Sequence, residues 1–369
     1  MIDVRAHLAR KPLLFDGGMG TYYKAKPGTE CEQGNLLDPA GVRKVHREYL
    51  AAGAEAIKTN TFGLPRMAAA RQPDWQALAR AGWKLAAEAA VETGAAVFAD
   101  LGPAPDTEAA PAGSIYTAVA RCFVEQGAKN FLFETLSSDA GVLEAVQAVK
   151  AQVPDAFVLV SFAVLPDGYT REGMYSKDLV RRMTESGIVD AVGFNCVSAP
   201  GAMRTLVQQL GSTALPLSVM PNAGYPVVTR TQVKYQGKPE YFAKELARIA
   251  AEGVWILGGC CGTTPAHIAA LRAALDSLPA VEKAAPAVQV SNPEAPMVEK
   301  DDAFLRKLNA GKKVIAIELD SPKDANLTNY LAGAKRLQAA GADLLTIADC
   351  PIARARMDSS LVACRVHRE

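Results

Sequence analysis

No apolar run in the 369 residues reaches the ~18 that a membrane-spanning helix needs. No excess of one charge exists either: 40 Lys and Arg stand against 39 Asp and Glu. Such a balance creates no field for nucleic acid or an anionic membrane surface. The opening MIDVRAHLARKPLLF carries charges every few residues and has no apolar core of a signal peptide, so the expected location is cytoplasmic. The glycine cluster DGGMG lacks GxGxxG spacing and no GxxxxGK[ST] occurs, which leaves nucleotide phosphate binding without support. Histidines are scarce and scattered, at 7, 46, 267 and 367. None is read as a ligand or base, and His46 and His267 fall on helical stretches. Nor is there a disulfide framework. The seven cysteines, Cys31, Cys122, Cys196, Cys260, Cys261, Cys350 and Cys364, are odd in number and scattered. The adjacent Cys260 and Cys261 are strained as a bridge, so a cluster containing them reads first as metal-binding or catalytic.

What the chain does have is regular alternation. About 49% of residues are hydrophobic, arranged as short apolar runs between Ala-rich stretches of helical spacing. Eight strands are expected, at Pro12–Met19, Ala54–Asn60, Ala95–Leu101, Asn130–Leu136, Phe157–Leu165, Asp190–Val197, Pro216–Pro221 and Val254–Gly259. A helix follows each. The first shows why: Asp38 suits an N-cap, Pro39 the first helical position, and Val42, Val45, Tyr49 and Leu50 recur on one face. Gly53 then supplies a left-handed stop, and Gly127, Gly187 and Gly253 occupy matching places before later strands. Continuous rather than alternating apolar strands fit a parallel sheet buried on both faces. Eight strand–helix units point to a (βα)8 TIM barrel over residues 1–277, with an open doubly wound sheet as the other arrangement.

Residues 278–300 carry prolines at 279, 286, 293 and 296 and read as a linker. The pattern resumes in 301–369 with helices near Asp302–Asn309, Ala325–Ala340 and Ile352–Val366 and strands at Lys313–Leu319 and Asp343–Ile347. This is an incomplete second βα domain. Its apolar residues near Val314, Ile315, Leu344 and Leu345 are expected to be exposed, with self-association through this segment as one consequence.

In a barrel, chemistry sits at the C-terminal ends of the strands. The polar residues expected there are Asp16, Lys58, Thr59, Asn60, Glu134, Thr135, Asn195, Cys196, Asn222, Cys260 and Cys261. Three of the seven cysteines thus share one rim, while Cys31, Cys122, Cys350 and Cys364 are not expected there. Three thiolates suit Zn2+, which takes four tetrahedral ligands, and they leave a fourth position open. A metal rich in thiolate is a weak Lewis acid and a poor activator of water. It suits a second sulfur, whose proton it displaces. Thiol alkylation is therefore favoured over hydrolysis. Asn222 precedes Ala-Gly and also reads as turn chemistry; Lys58 is assigned no role.

FDGGMGT, KTNTFG, FLFETL, GFNC, PNAG and GGCCGTTP, in this order, closely resemble the homocysteine S-methyltransferase family. VIAIELDSP and LLTIADCPIARARMDS resemble the start of a methylenetetrahydrofolate reductase domain, so the whole resembles the bifunctional proteins that join the two, truncated early in the reductase. The resemblance implies zinc on Cys196, Cys260 and Cys261, with Asn222 in the fourth position until homocysteine displaces it. It implies that Asp16, Gly17 and Glu134 bind the ammonium and carboxylate groups of homocysteine. It also matches Glu318 to the reductase acid. The implied reaction makes methionine from homocysteine and a small methyl donor: methylfolate, methylcobalamin, S-methylmethionine, S-adenosylmethionine or betaine. The alternative is a non-catalytic zinc or thiol-redox sensor on a barrel scaffold, which would need no amino-acid pocket.

Overall fold

Parity along the strands explains the architecture. The structure, a computed structural model, describes residues 2–26, 28–228, 233–277, 303–323, 326–348 and 356–368. The barrel strands are β1 (Leu13–Leu14), β2 (Ala56–Lys58), β3 (Ala96–Leu101), β4 (Asn130–Leu136), β5 (Phe157–Phe162), β6 (Ala191–Asn195) and β7 (Leu217–Met220). A hairpin of β8 (Pro226–Val228) and β9 (Val233–Tyr235) intervenes before the last barrel strand, β10 (Ile256–Leu257). All eight barrel strands pair in parallel, in the order β1-β10-β7-β6-β5-β4-β3-β2. A bridge from Phe15 to Ala56 joins the two ends, so the closed (βα)8 arrangement forms and the open sheet does not.

Residues of one parity, among them Phe15, Ala96, Phe98, Leu132, Leu159 and Ala191, form one buried cluster. Their neighbours, including Leu14, Ile57, Val97, Phe131, Val158 and Val192, form another with the surrounding helices. The first fills the barrel and the second cements the helices to it. Continuing the inward parity to the strand ends brings Lys58, Asp100, Glu134, Ser161 and Asn195 to the top of the interior. The fold thereby places polar residues where the packed core stops.

The local expectations hold in detail. Asp38 accepts from the Gly41 N–H at 3.0 Å and caps the helix Pro39–Ala51. Gly53, Gly127, Gly187 and Gly253 have φ of 97°, 83°, 66° and 97°. Several strands stop earlier than the apolar runs do. β6 ends at Asn195 because Cys196 and Val197 turn left-handed, at φ 59° and 33°. β5 ends at Phe162, beyond which the Leu165 N–H bonds to the Tyr169 carbonyl in a local turn at 2.8 Å. No helix among the described residues is long and apolar enough to cross a membrane.

The chain divides into two compact units, Met1–Val290 and Ser291–Glu369. The linker expected at 278–300 lies outside the described residues. In the second unit β11 (Ala316–Glu318) pairs in parallel with β12 (Leu344–Thr346). Helices Ala303–Asn309, Thr328–Ala339 and Ser359–Arg368 accompany them. Ile315 and Leu344 are exposed, at 45% and 40%, as two parallel strands alone require.

Candidate functional site

Three sulfurs converge at the open end of the barrel. Cys196 follows β6 and Cys260 and Cys261 follow β10; their Sγ atoms all lie within 4.8 Å of one another, with Cys196 and Cys261 3.8 Å apart. The backbone holds them there. The Cys196 N–H donates to the Met220 carbonyl at 3.1 Å, the Cys260 N–H to the Pro221 carbonyl at 2.9 Å, and the Ala223 N–H to the Cys261 carbonyl at 2.9 Å. The loops after β6, β7 and β10 are thus laced into one rim. The left-handed backbone at Cys196 and at the β-branched Val197 is costly, the kind of strain a surrounding structure imposes at a working site.

Glycines let the β1 loop meet the cysteine loop. A Cβ on Gly18 would stand 2.6 Å from the Cys260 carbonyl oxygen, and one on Gly17 would stand 2.5 Å from Thr263 Oγ1. The Gly18 N–H donates to Thr263 Oγ1 at 2.9 Å, and that hydroxyl donates to the Cys260 carbonyl at 2.6 Å. Gly262, at φ 78°, leaves room for the Tyr235 ring of the hairpin. Burial and the neighbouring Cys261 push the Tyr235 hydroxyl above its ordinary range.

Contact with Cys196, followed by burial, holds the Cys260 thiol well above the ordinary value. Asn222, 3% exposed, has a buried Oδ1 with no hydrogen-bond partner. A buried amide oxygen left without a donor is what a cation ligand looks like before its cation is bound. Three converging sulfurs are a donor set that fits zinc, and the unsatisfied Asn222 oxygen lies on the loop that the Ala223 N–H joins to the Cys261 carbonyl.

A cavity of about 510 Å³ opens at this rim and is lined by Cys196, Cys260 and Cys261 together with Lys58, Asp100 and Glu134. Asp16, Gly17 and Asn222 are not in the lining. Asp16 is 1% exposed; its Oδ2 accepts the Lys58 N–H at 3.0 Å and its Oδ1 has no partner. Burial, opposed by the Lys58 charge, raises its pKa to about 7. Asn195 organises the lining. Its Nδ2 donates to Thr135 Oγ1 at 2.7 Å and Glu134 Oε2 at 3.2 Å, while its Oδ1 accepts from the Thr135 N–H at 2.9 Å and Ser161 Oγ at 2.8 Å. Lys58 Nζ reaches Glu134 Oε2 and the Gly259 carbonyl, each at 3.5 Å. Burial alone would depress the Lys58 pKa, but the charges of Glu134 and Asp16 outweigh it and keep the ammonium charged. Burial, then the Glu134 charge, lifts Asp100 well above the usual carboxylate range, and its Oδ1 also lacks a partner.

One expectation needs correction. Cys31 does line this cavity. The segment after β1 folds back across the mouth, where Cys31 Sγ donates to Asn60 Oδ1 at 3.1 Å and Asn60 Nδ2 donates to the Cys31 carbonyl at 2.8 Å. Cys122 lies in the helix Ala112–Val124 and Cys364 in the last helix, while Cys350 is outside the described residues. Sequence reasoning also missed Asp100, although it stands two residues beyond the inward-facing Phe98. It gave no role to Asn195 or Lys58, and it did not foresee the hairpin that carries Tyr235.

Comparison with known proteins agrees with the sequence motifs. The family model for homocysteine S-methyltransferase matches residues 13–275. The methionine synthase of Mycobacterium tuberculosis is 32% identical over 312 residues, covering 77% of this chain and 26% of that protein. The chain therefore spans about a quarter of the methionine synthase it matches. The homocysteine S-methyltransferase of Escherichia coli is 29% identical over 296 residues, 71% of this chain and 94% of that one. Among solved structures, the apo form of the E. coli homocysteine methyltransferase MmuM superposes with a TM-score of 0.56 at 27% identity, over 72% of this chain and 96% of that one. A metallated form of the same protein gives 0.59 at 24% identity, over 73% and 99%, and speaks to the fold alone.

Proposed function

This chain belongs to the homocysteine S-methyltransferase family, and from that premise we propose that it methylates the thiol of homocysteine to form methionine at the cysteine-lined mouth of its barrel. The observation that carries this reading is the convergence of three sulfurs within 4.8 Å on a cavity that also holds a buried ammonium and carboxylates. A thiol-binding metal site and an amino-acid pocket share one space.

Cys196, Cys260 and Cys261 would hold zinc, with Asn222 Oδ1 as the fourth donor. Bound there, zinc would lower the pKa of a thiol that displaces Asn222 from the fourth position, presenting a thiolate at neutral pH. The remaining work belongs to the protein. Glu134 takes the substrate ammonium through a charge-assisted hydrogen bond. Asp16 supports it by holding the β2 backbone at Lys58, and the glycines at 17 and 18 keep the β1 loop close to the cysteines. So held, the homocysteine sulfur attacks the donor's methyl carbon in line. The sulfur–carbon bond forms as the donor–methyl bond breaks, and the thiol proton is lost beforehand. Positioning is the principal catalytic contribution. Reduced thiols at the site suit the cytoplasm.

Methionine formation from L-homocysteine, assayed with S-methylmethionine, S-adenosylmethionine, betaine, methyltetrahydrofolate and methylcobalamin in turn, tests the reading. At least one donor should support turnover that Cys260→Ala abolishes. No methionine from any donor, with zinc bound, would contradict it.

A further inference from the structure

The family's motifs give Glu134 and Asp16 their work but leave Lys58 none. A buried ammonium is costly unless well paired, and this one is 5% exposed. Among the described residues its hydrogen-bond partners are Glu134 Oε2 and the Gly259 carbonyl, both at 3.5 Å. Charge-assisted hydrogen bonds close to about 2.7–2.9 Å, so both contacts are loose. An ammonium also has three donors. Glu134 Oε2 meanwhile takes a shorter bond, 3.2 Å, from Asn195 Nδ2. The lysine thus borders the cavity with unused donor capacity, beside a carboxylate that is tethered elsewhere.

The charge balance is informative. The lining holds Glu30, Glu32, Arg66 and Asp100 as well as Lys58 and Glu134, and within it the Lys58 ammonium and the Glu134 carboxylate stand 3.5 Å apart as an opposite-charge pair. That pair complements a zwitterion. A simple thiol would need neither charge.

We propose that Lys58 Nζ binds the α-carboxylate of the amino-acid thiol while Glu134 takes its ammonium group, which makes Lys58 the residue that selects an α-amino acid over a plain thiol. This rests on the proposed function above.

Calorimetric titration of the zinc-loaded full chain with L-homocysteine and with 3-aminopropane-1-thiol, which lacks only the carboxylate, tests it. The unaltered protein should prefer homocysteine by about 10- to 100-fold, the loss typical of one hydrogen bond to a charged group. In Lys58→Gln that preference should vanish, through weaker homocysteine binding with the aminothiol little changed. The double variant Lys58→Gln/Glu134→Gln removes the carboxylate that Lys58→Gln alone would strand and should likewise show no preference. A preference that survives in either variant overturns the proposal, as does an equal loss of both ligands in Lys58→Gln, which would mark the lysine as merely structural. An unaltered protein that binds neither thiol overturns the proposed function itself. One that binds homocysteine and keeps its preference without Lys58 overturns this inference alone.

Discussion

Cysteine chemistry at the rim separates cleanly from the residues that build the barrel. Cys196 and Cys260 lie beyond the ends of β6 and β10, so Cys196→Ala and Cys260→Ala should each lose bound zinc while the far-ultraviolet circular dichroism stays unchanged. Metal content by mass spectrometry checks the loss; full zinc occupancy in both variants would show the ligand set to be wrong. His46 offers a test away from the site. It is fully buried on the helix Pro39–Ala51, with neither ring nitrogen hydrogen-bonded, and burial lowers its pKa from 6.5 to about 4. Between those values the unfolded chain binds the proton and the folded chain does not, so stability rises with pH across that window. Full burial makes the effect about 3 kcal/mol. Denaturant titrations of His46→Leu from pH 4 to 7 should show that dependence flattened. At this scale the sequence was informative where chemistry is local: paired cysteines among glycines announce themselves. Asp100 did not, because its meaning comes from the parity of β3 and from Glu134, Lys58 and Asp16, which the fold brings near it.

Loops, more than strands, decide the site's geometry. The β1 loop and the cysteine loop after β10 interlock through Gly18, Thr263 and the Cys260 carbonyl. Gly18 has an ordinary φ of −73°, so alanine there fails on space and not on backbone conformation. Gly18→Ala should push the Cys260 carbonyl away and disturb the sulfur it orients. We expect zinc affinity to fall by about tenfold or more, the scale of 1.4 kcal/mol, measured by competition with a chelating dye, with the thermal midpoint also lowered. Unchanged affinity would mean that the two loops are mechanically independent. The elements themselves were largely legible. Asn130–Leu136 is a strand over the expected residues, and the start of the helix Pro39–Ala51 at Asp38–Pro39 follows from capping alone. Strand ends were less so, since β6 stops at a left-handed cysteine and not at the end of its apolar run. The hairpin β8–β9 gave no clear sign, being a two-stranded insertion whose tyrosine matters only once folded against Gly262.

The whole chain holds two units, Met1–Val290 and Ser291–Glu369, and the family match lies within the first. A chain ending at Ser277 should therefore bind zinc and L-homocysteine as the full chain does, by calorimetry, and lose only the exposed apolar surface around Ile315 and Leu344. Lost binding would place part of the working site in the second unit. Barrel closure was legible from eight repeated units. The meeting of Cys196 with Cys260 and Cys261 was legible only through it, because that meeting depends on β6 and β10 both flanking β7. Zinc K-edge X-ray absorption of the full chain, with and without L-homocysteine, addresses that meeting most directly. Three sulfur neighbours and one nitrogen or oxygen should become four sulfurs when homocysteine is added. Fewer than three sulfurs at the start, or a spectrum that saturating homocysteine leaves unaltered, would contradict a thiolate metal site that receives the substrate's sulfur.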